Sequence, residues 1–204
     1  MAWKDITPKT FASIRELNGI SARTQEEHYE LYKGYVGKVN EIQKKLDAVD
    51  RTTANQIFSD LRSLRIDYSF AIGGMKNHEI FFGHLGGKGG APAGKLKEQI
   101  ARDFPSYDAW LADFKASGLA ARGWVWLAYD HDLSMLTTVL GDAQNTFPLW
   151  NATPILALDV YEHAYWLDYG RARAKYIDAF FNNLDWNVVA ANLDRALSMQ
   201  PAAK

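Results

Sequence analysis

The stretch TPILALDVYEHAYWL, residues 153–167, joins an apolar strand pattern to a helical pattern and carries two metal-binding residue types at the junction. Its first half is short, apolar and bounded by turn signals, which predicts a strand that ends at Asp159. A helical pattern begins at Glu162 and is predicted to continue to Phe181. Asp159 and His163 lie four positions apart across the junction, so both side chains are able to reach one ion from the same side.

Two long helices are predicted upstream, because apolar and aromatic residues recur there in alternating steps of four and three. Thr24 followed by Glu27 predicts a capping box at the start of the first helix. The first stripe comprises His28, Tyr32, Tyr35, Val39, Ile42 and Leu46, and the second comprises Ile57, Leu61, Leu64, Tyr68, Ala71, Met75, His78 and Phe82.

A short polar segment, residues 47–53, separates the two stripes and predicts antiparallel helices. His28 and His78 lie at similar distances along the chain from this turn, so we expect them to be level with each other. Glycines within helices cost helix propensity and therefore predict close backbone approach beside a metal site. These glycines are Gly34, Gly37, Gly73 and Gly74.

The glycine-rich segment Gly83–Gly94 is the clearest break in composition. We predict two domains, a helical hairpin over residues 1–88 and an α/β domain over residues 89–204. The predicted fold class is α+β, with a three-stranded antiparallel sheet in the second domain. Its predicted elements are helices at 96–104, 106–120 and 185–197, with Ser106 as the N-cap of the second, and strands at 123–130, 133–140 and 153–160 joined in part by a hairpin at Asp130–Asp132.

Four potential metal ligands stand out: His28, His78, Asp159 and His163. Each has an ordinary explanation, since a lone histidine on an apolar stripe is usually a hydrogen-bonded core residue and Asp159 could cap the following helix. Two facing imidazoles in an apolar seam are costly alone, whereas a shared metal satisfies both. Three imidazoles and one carboxylate suit manganese or iron. The remaining histidines, His84 and His131, are predicted to be solvated surface residues.

The composition excludes several classes of function. The absence of cysteine rules out disulfides, zinc–thiolate sites, iron–sulfur clusters and thiol nucleophiles. A formal net charge of −1 gives no general basic surface, so we expect no nucleic-acid partner. The opening MAWKDITPKTF lacks a signal-peptide pattern, and no window approaches about 18 consecutive apolar residues. We therefore expect a cytoplasmic protein that does not enter the membrane.

Four segments resemble the signatures of the iron/manganese superoxide dismutases: GGMKNHEIFF at 73–82, GWVWL at 123–127, AQNTFP at 143–148 and LDVYEHAYWL at 158–167. The similarity extends from about Ile20 to Leu197. The resemblance implies the same four ligands, with a solvent molecule as the fifth. It also implies that Trp124 walls the site and that Glu162 bridges to His163 of the partner subunit across a homodimer interface.

The resemblance also bears on the choice of metal. In that family a glutamine bonds the metal-bound solvent, and it comes from different parts of the chain in manganese and iron members. Here Gly74 stands four residues before His78, while Gln144 lies in the loop before the third strand. That arrangement favours manganese over iron. Without the resemblance, Gln144 would be an ordinary loop amide.

The active-site tyrosine departs from the family pattern. It usually follows the first ligand by eight residues, but Val36 occupies that position and Tyr35 comes at seven. Because a helix turns by about 100° per residue, a step of seven stays on the ligand's face. We interpret this as a one-residue deletion that leaves Tyr35 inward, as a proton relay within reach of Gln144. The family's usual second histidine, four residues after the first ligand, is replaced by Tyr32 or Leu31, and its usual tyrosine partner is Trp166. Phe82 and Tyr161 stand where tryptophans are common, so the substrate approach is altered.

The sequence thus predicts a homodimeric superoxide dismutase with one manganese or iron ion per chain. Arg173 is a candidate for attracting the anion, with a solvated helix-face position as the alternative. One rival function is a mononuclear iron oxygenase, which would use two histidines and a carboxylate with open positions. The other is a superoxide dismutase-like metal-binding or structural subunit with altered catalysis.

Overall fold

The first long helix begins three residues earlier than the capping signal predicted. In the computed structural model, which describes residues 3–199, helix α1 spans Ala22–Ala48. Its N-cap is Ser21, whose side chain accepts a hydrogen bond from the Thr24 N–H at 3.1 Å. The predicted Thr24–Glu27 capping box is therefore wrong, because Thr24 already lies inside the first turn.

The link between the two long helices is longer than predicted. Helix α2 spans Asp60–Gly83, and Ser59 caps it by accepting from the Arg62 N–H. The link contains a short 3-10 turn at Arg51–Thr53. Ile57, placed by the periodicity on the second helix, lies outside it and is 86% exposed.

The two helices nevertheless bring His28 and His78 level, as predicted, with ring centroids 4.9 Å apart. The expectation for the glycines holds only on α2. A Cβ on Gly73 would overlap the backbone carbonyl of Gln144, and one on Gly74 would lie 2.8 Å from the Tyr35 ring. Gly34 and Gly37 face open space, so close packing does not explain them.

The sheet confirms the predicted α+β fold. Strands β1 (Trp124–Asp130), β2 (Met135–Gly141) and β3 (Ala152–Asp159) form an antiparallel sheet in the order β2-β1-β3. The predicted hairpin joins β1 to β2. In the β1–β3 pairing Trp124 lies opposite Asp159, so the sheet delivers both residues to the same end.

Helices surround this sheet. Helix α3 spans Gly94–Asp103 and α4 spans Tyr107–Ala120, with Ser106 as the predicted N-cap. The continuous helix predicted from Glu162 is wrong, because Gly170 with φ 49° interrupts it. The segment is a 3-10 turn, Glu162–Ala164, followed by α5 (Trp166–Tyr169) and α6 (Arg173–Asn182). The helix predicted at 185–197 is present as α7 (Trp186–Ser198).

One core extends through both halves of the molecule. Large side chains from the helices and from the sheet are buried together, including Tyr32, Phe82, Phe114, Trp126 and Phe180. The division at residues 88 and 89 stays a prediction, and its outer ends at residues 1–2 and 200–204 lie outside the described residues. Within residues 3–199, no helix has the length and apolar character needed to cross a membrane.

Candidate metal centre

Three imidazoles converge on one carboxylate oxygen. The Nε2 atoms of His28 and His163 each lie 3.1 Å from Oδ2 of Asp159, and Nε2 of His78 lies 3.5 Å from it. One potential ligand atom from each of the four residues falls within 4.8 Å of the others. His28, His78 and Asp159 are buried, while the His163 side chain is 25% exposed.

Four different elements supply these side chains. His28 comes from α1, His78 from α2, Asp159 from the last position of β3, and His163 from the 3-10 turn that follows. The Asp159 Oδ1 accepts a hydrogen bond from the Tyr161 N–H at 2.9 Å. This local bond folds the chain sharply after β3, which returns His163 to the carboxylate four residues before it.

His78 provides the clearest test of whether a metal fits. Its Nδ1–H donates to the Gly74 carbonyl at 2.6 Å, which leaves Nε2 as the unprotonated nitrogen. That Nε2 is buried, has no hydrogen-bond partner among residues 3–199 and points into the cluster. An orphaned buried acceptor is costly, and a metal ion would satisfy it. The donor set of three nitrogens and one oxygen fits manganese or iron.

The electrostatics of the cluster favour a cation. Burial lowers the pKa of His28, and burial lowers the pKa of His78 to about 3, so both imidazoles are neutral donors near pH 7. Burial opposes ionisation of Asp159, but His163 and His28 outweigh it and hold its pKa well below the usual range. Burial also opposes protonation of His163, yet the attraction of the Asp159 carboxylate prevails and raises its pKa.

Gln144 lies beside this cluster between two aromatic side chains. Its Nε2 donates to the Tyr35 hydroxyl at 3.2 Å, and its Oε1 accepts from the Trp124 indole N–H at 2.9 Å. Gln144 is 2% exposed, so its amide is fixed rather than solvated. The alternative of an ordinary loop amide does not describe this environment.

Asn77, which the sequence reasoning missed, holds the Gln144 backbone. Its Nδ2 donates to the Gln144 carbonyl at 3.0 Å, and its Oδ1 accepts from the Trp126 indole N–H at 3.3 Å. Gly73 permits the close approach of the same carbonyl. The position of Asn77 directly before a candidate ligand was the available signal, but its partner lies 67 residues away.

Aromatic rings wall the candidate ligands. Trp124 meets the His78 ring edge-on at 5.2 Å, and Phe82 meets the His28 ring at 4.9 Å. Tyr161 stacks on His163 with centroids 5.3 Å apart. Trp166 is instead half exposed on the surface. Of the two residues offered for the missing second histidine, Tyr32 is buried and Leu31 is exposed; neither replaces Tyr35 beside Gln144.

Glu162 and Arg173 lie on the outer side of the site. The Glu162 side chain is 61% exposed and lies 3.7 Å from the Arg173 guanidinium. Arg173 donates to the Tyr165 hydroxyl at 3.1 Å and to the Ala121 carbonyl at 2.8 Å. Its guanidinium is therefore anchored, and the alternative of a solvated helix-face arginine is wrong.

The two remaining histidines are not the solvated residues that the sequence predicted. His84 is fully buried, and its Nε2 accepts a hydrogen bond from the Ala157 N–H at 3.1 Å. His131 is half-buried and its Nε2 lies 2.8 Å from the Thr153 hydroxyl. Neither belongs to the metal-ligand cluster.

Comparison with known proteins extends the resemblance to nearly the whole chain. A family model described as "Iron/manganese superoxide dismutases, C-terminal domain" matches residues 92–192. The chain is 41% identical to the iron superoxide dismutase of Aquifex aeolicus, over 98% of this chain and 96% of that protein. It is 38% identical to an iron superoxide dismutase of Cupriavidus metallidurans, over 89% of this chain and 92% of that protein. It is 37% identical to manganese superoxide dismutase 2 of Haloferax volcanii, over 82% of this chain and 83% of that protein. The protein belongs to the iron/manganese superoxide dismutase family.

Proposed function

We propose that the protein converts two superoxide ions and two protons into dioxygen and hydrogen peroxide at one metal ion per chain. His28, His78, Asp159 and His163 would hold that ion. The observation that carries the proposal is the convergence of three imidazole Nε2 atoms on one carboxylate oxygen. The His78 Nε2 is buried there and has no hydrogen-bond partner in the part of the chain that the structure describes. The family membership of the chain supports the same activity.

A manganese or iron ion bound there would supply the one-electron chemistry by alternating between its trivalent and divalent states. The chain's own groups prepare the site for it. The Asp159 carboxylate offsets positive charge, and the Gly74 carbonyl orients the His78 ring through Nδ1–H. Trp124 and Phe82 cover the His78 and His28 imidazoles with apolar surface.

Proton supply is the second task of the chain. We assign it to the Tyr35 hydroxyl and the Gln144 amide, which are joined by a hydrogen bond of 3.2 Å. Burial raises the pKa of Tyr35, so the hydroxyl keeps its proton near neutral pH and is available as a donor. Trp124 fixes the other end of the Gln144 amide and thereby keeps Nε2 directed at Tyr35.

We favour manganese over iron. Gln144 enters from the loop before β3, and Gly74 lacks the side chain that would occupy the Tyr35 ring position. Both iron and manganese superoxide dismutases are among the relatives that match the chain, so the comparisons support one ion of either metal. Protein produced in medium supplied with each metal in turn, followed by elemental analysis and activity measurement, tests the preference.

We also propose a homodimer through the surface around Glu162 and His163. Glu162 projects outward beside a candidate ligand, and the neighbouring Trp166 and Leu167 are each 52% exposed. An exposed apolar pair next to a carboxylate suits an interface with an apolar core and a polar rim. A cytoplasmic location stays a prediction, which fractionation of cells that express the chain would test.

The function is tested by metal content and dismutation measured together. We expect about one metal ion per chain and rapid loss of superoxide with the wild-type protein, and neither with His163→Ala. His131→Ala is the matched control, because it removes a histidine outside the cluster. A wild-type protein that binds the metal without consuming superoxide would instead indicate the subunit with altered catalysis.

A further inference from the structure

Strand β3 has an outer edge that no strand pairs with in the described part of the chain. The sheet order is β2-β1-β3, so β1 pairs with one edge of β3, and helices α2 and α7 contact the strand. Unpaired backbone groups on an edge need partners, particularly where the strand is buried. From Ile155 to Asp159, every residue of β3 is fully buried.

Side chains from three helical regions supply those partners. The Ile155 carbonyl accepts from Asn192 Nδ2 at 3.0 Å, the Ala157 N–H donates to His84 Nε2 at 3.1 Å, and the Asp159 carbonyl accepts from the Tyr176 hydroxyl at 2.8 Å. Ile155, Ala157 and Asp159 are every second residue of the strand, as expected for backbone groups that point to the same edge. Side chains thus occupy the place of a fourth strand.

His84 is the most firmly held of these partners. Its backbone N–H donates to the Ile80 carbonyl at the end of α2, and its carbonyl accepts from the Asp185 N–H before α7 at 2.8 Å. Its ring packs edge-on against Phe180 of α6 at 5.6 Å and against Phe81 at 6.3 Å. Contacts to the end of α2, to α6 and to the residue before α7 therefore fix His84 independently of its bond to β3.

The bond to Ala157 requires a neutral imidazole. Only an unprotonated Nε2 has the lone pair that accepts an N–H, so the proton of the neutral ring resides on Nδ1. Complete burial lowers the pKa of His84 to about 3, which keeps the ring neutral at physiological pH. Nothing in the proposed dismutation uses this group.

We propose that His84 is a positioning residue for the metal centre, which fixes the edge of β3 two residues before Asp159. This inference rests on the proposed function, since it takes Asp159 as a ligand. The Asp159 Oδ2 has to lie close to the Nε2 atoms of three imidazoles for all four to hold one ion. A small displacement of the strand end would therefore move Oδ2 away from all three nitrogens. Two hydrogen bonds on the same outer edge fix that end, one from the Ala157 N–H to His84 and one from Tyr176 to the Asp159 carbonyl.

The test compares two substitutions of His84 with one control. His84→Leu removes the acceptor and leaves the Ala157 N–H unpaired, whereas His84→Gln retains an acceptor at a similar distance from the backbone. Asn192→Ala removes a partner from the same edge but at Ile155, four residues before Asp159. If His84→Leu does not fold, His84→Met replaces it, because its flexible side chain is only a weak acceptor. Manganese affinity by chelator competition, the visible spectrum of the trivalent metal and the thermal midpoint are measured for each protein.

We expect His84→Leu to weaken manganese binding by about tenfold, the lower end of the range for groups that orient metal ligands, and to alter the visible spectrum. His84→Gln should restore most of the affinity. Asn192→Ala should lower the thermal midpoint with affinity and spectrum unchanged. Equal affinities for wild type and His84→Leu, or equal losses for Leu and Gln, would overturn the inference alone. A wild-type protein that binds neither manganese nor iron would overturn the proposed function, and this inference with it.

Discussion

The Tyr35 hydroxyl and the Gln144 amide are joined by a hydrogen bond of 3.2 Å, although 109 residues separate them. Two features allow this contact. The helix α1 carries Tyr35 inward seven residues after His28, and Gly74 on α2 lacks the Cβ that would lie 2.8 Å from the tyrosine ring. The residue from the first helix and the residue from the loop before β3 therefore form one polar unit beside the candidate metal centre.

Tyr35→Phe should slow turnover at high superoxide on the order of tenfold or more, because it removes the hydroxyl that we assign to proton transfer. The metal content should not change, since the hydroxyl is not among the four candidate ligands. Pulse radiolysis or stopped-flow measurement over a range of superoxide concentrations would record the effect.

Tyr29→Phe is the matched control for this prediction. Tyr29 lies on the same helix, but its hydroxyl donates to the Lys9 carbonyl at 2.9 Å, away from Gln144. Its turnover should equal that of the wild type. A Tyr35→Phe enzyme with unaltered kinetics would leave the four ligands standing and refute the proposed proton route.

Trp124→Phe should release the Gln144 amide. The substitution removes a buried indole donor and leaves Oε1 of Gln144 unpaired, which costs about 1–3 kcal/mol of unfolding free energy. We also expect a changed visible spectrum of the trivalent metal, because the amide is no longer held. Trp110→Phe makes the same change at a buried tryptophan whose indole N–H has no hydrogen-bond partner among the described residues, so it should leave the spectrum intact.

Glu162→Ala should weaken the proposed dimer. Loss of one partner from a buried, hydrogen-bonded charge pair costs at least about 2 kcal/mol, which corresponds to a roughly thirtyfold higher dissociation constant. Sedimentation at decreasing protein concentration measures the change. Glu30→Ala, at a similarly exposed glutamate on α1, should leave association unchanged. A fully active wild-type monomer would contradict the interface.

The parts of the site that the sequence predicted are those encoded by local periodicity. His28 and His78 lie on long amphipathic stripes, and a helix places such residues without reference to the rest of the chain. Asp159 and His163 are only four residues apart, so their approach is also local. The link after α1 and the helix predicted from Glu162 were misjudged, because apolar spacing continued across residues that the backbone does not keep helical.

His84 shows why the remainder could not be predicted. It follows a helix in a glycine-rich segment, which is typical of an exposed residue, and its partner Ala157 lies 73 residues further along the chain. The packing of α2 against β3, together with Phe180 of α6 against the ring, turns this position into a buried one. The flanking Phe81, Phe82 and Leu85 were the available signal, since an apolar neighbourhood disfavours a solvated imidazole.

The burial of His84 also predicts how stability depends on pH. The pKa of His84 is lowered to about 3 in the folded protein, against 6.5 for an exposed imidazole, so below pH 6.5 the unfolded chain takes up a proton that the folded chain does not. The contribution of the neutral ring is fully present above pH 6.5 and is lost as the pH falls towards 3. At about pH 5 the loss is roughly 2 kcal/mol relative to pH 7.5.

His84→Gln isolates that contribution, because glutamine does not titrate while the other histidines are unchanged. Urea unfolding at both pH values should therefore show a loss of stability on acidification that is smaller in His84→Gln than in the wild type, by roughly 2 kcal/mol. The variant should be less stable than the wild type at pH 7.5 and should approach or overtake it at pH 5. Parallel losses in the two proteins would mean that the imidazole is already solvated or charged in the folded state, and the assignment of a neutral acceptor for the Ala157 N–H would then be wrong.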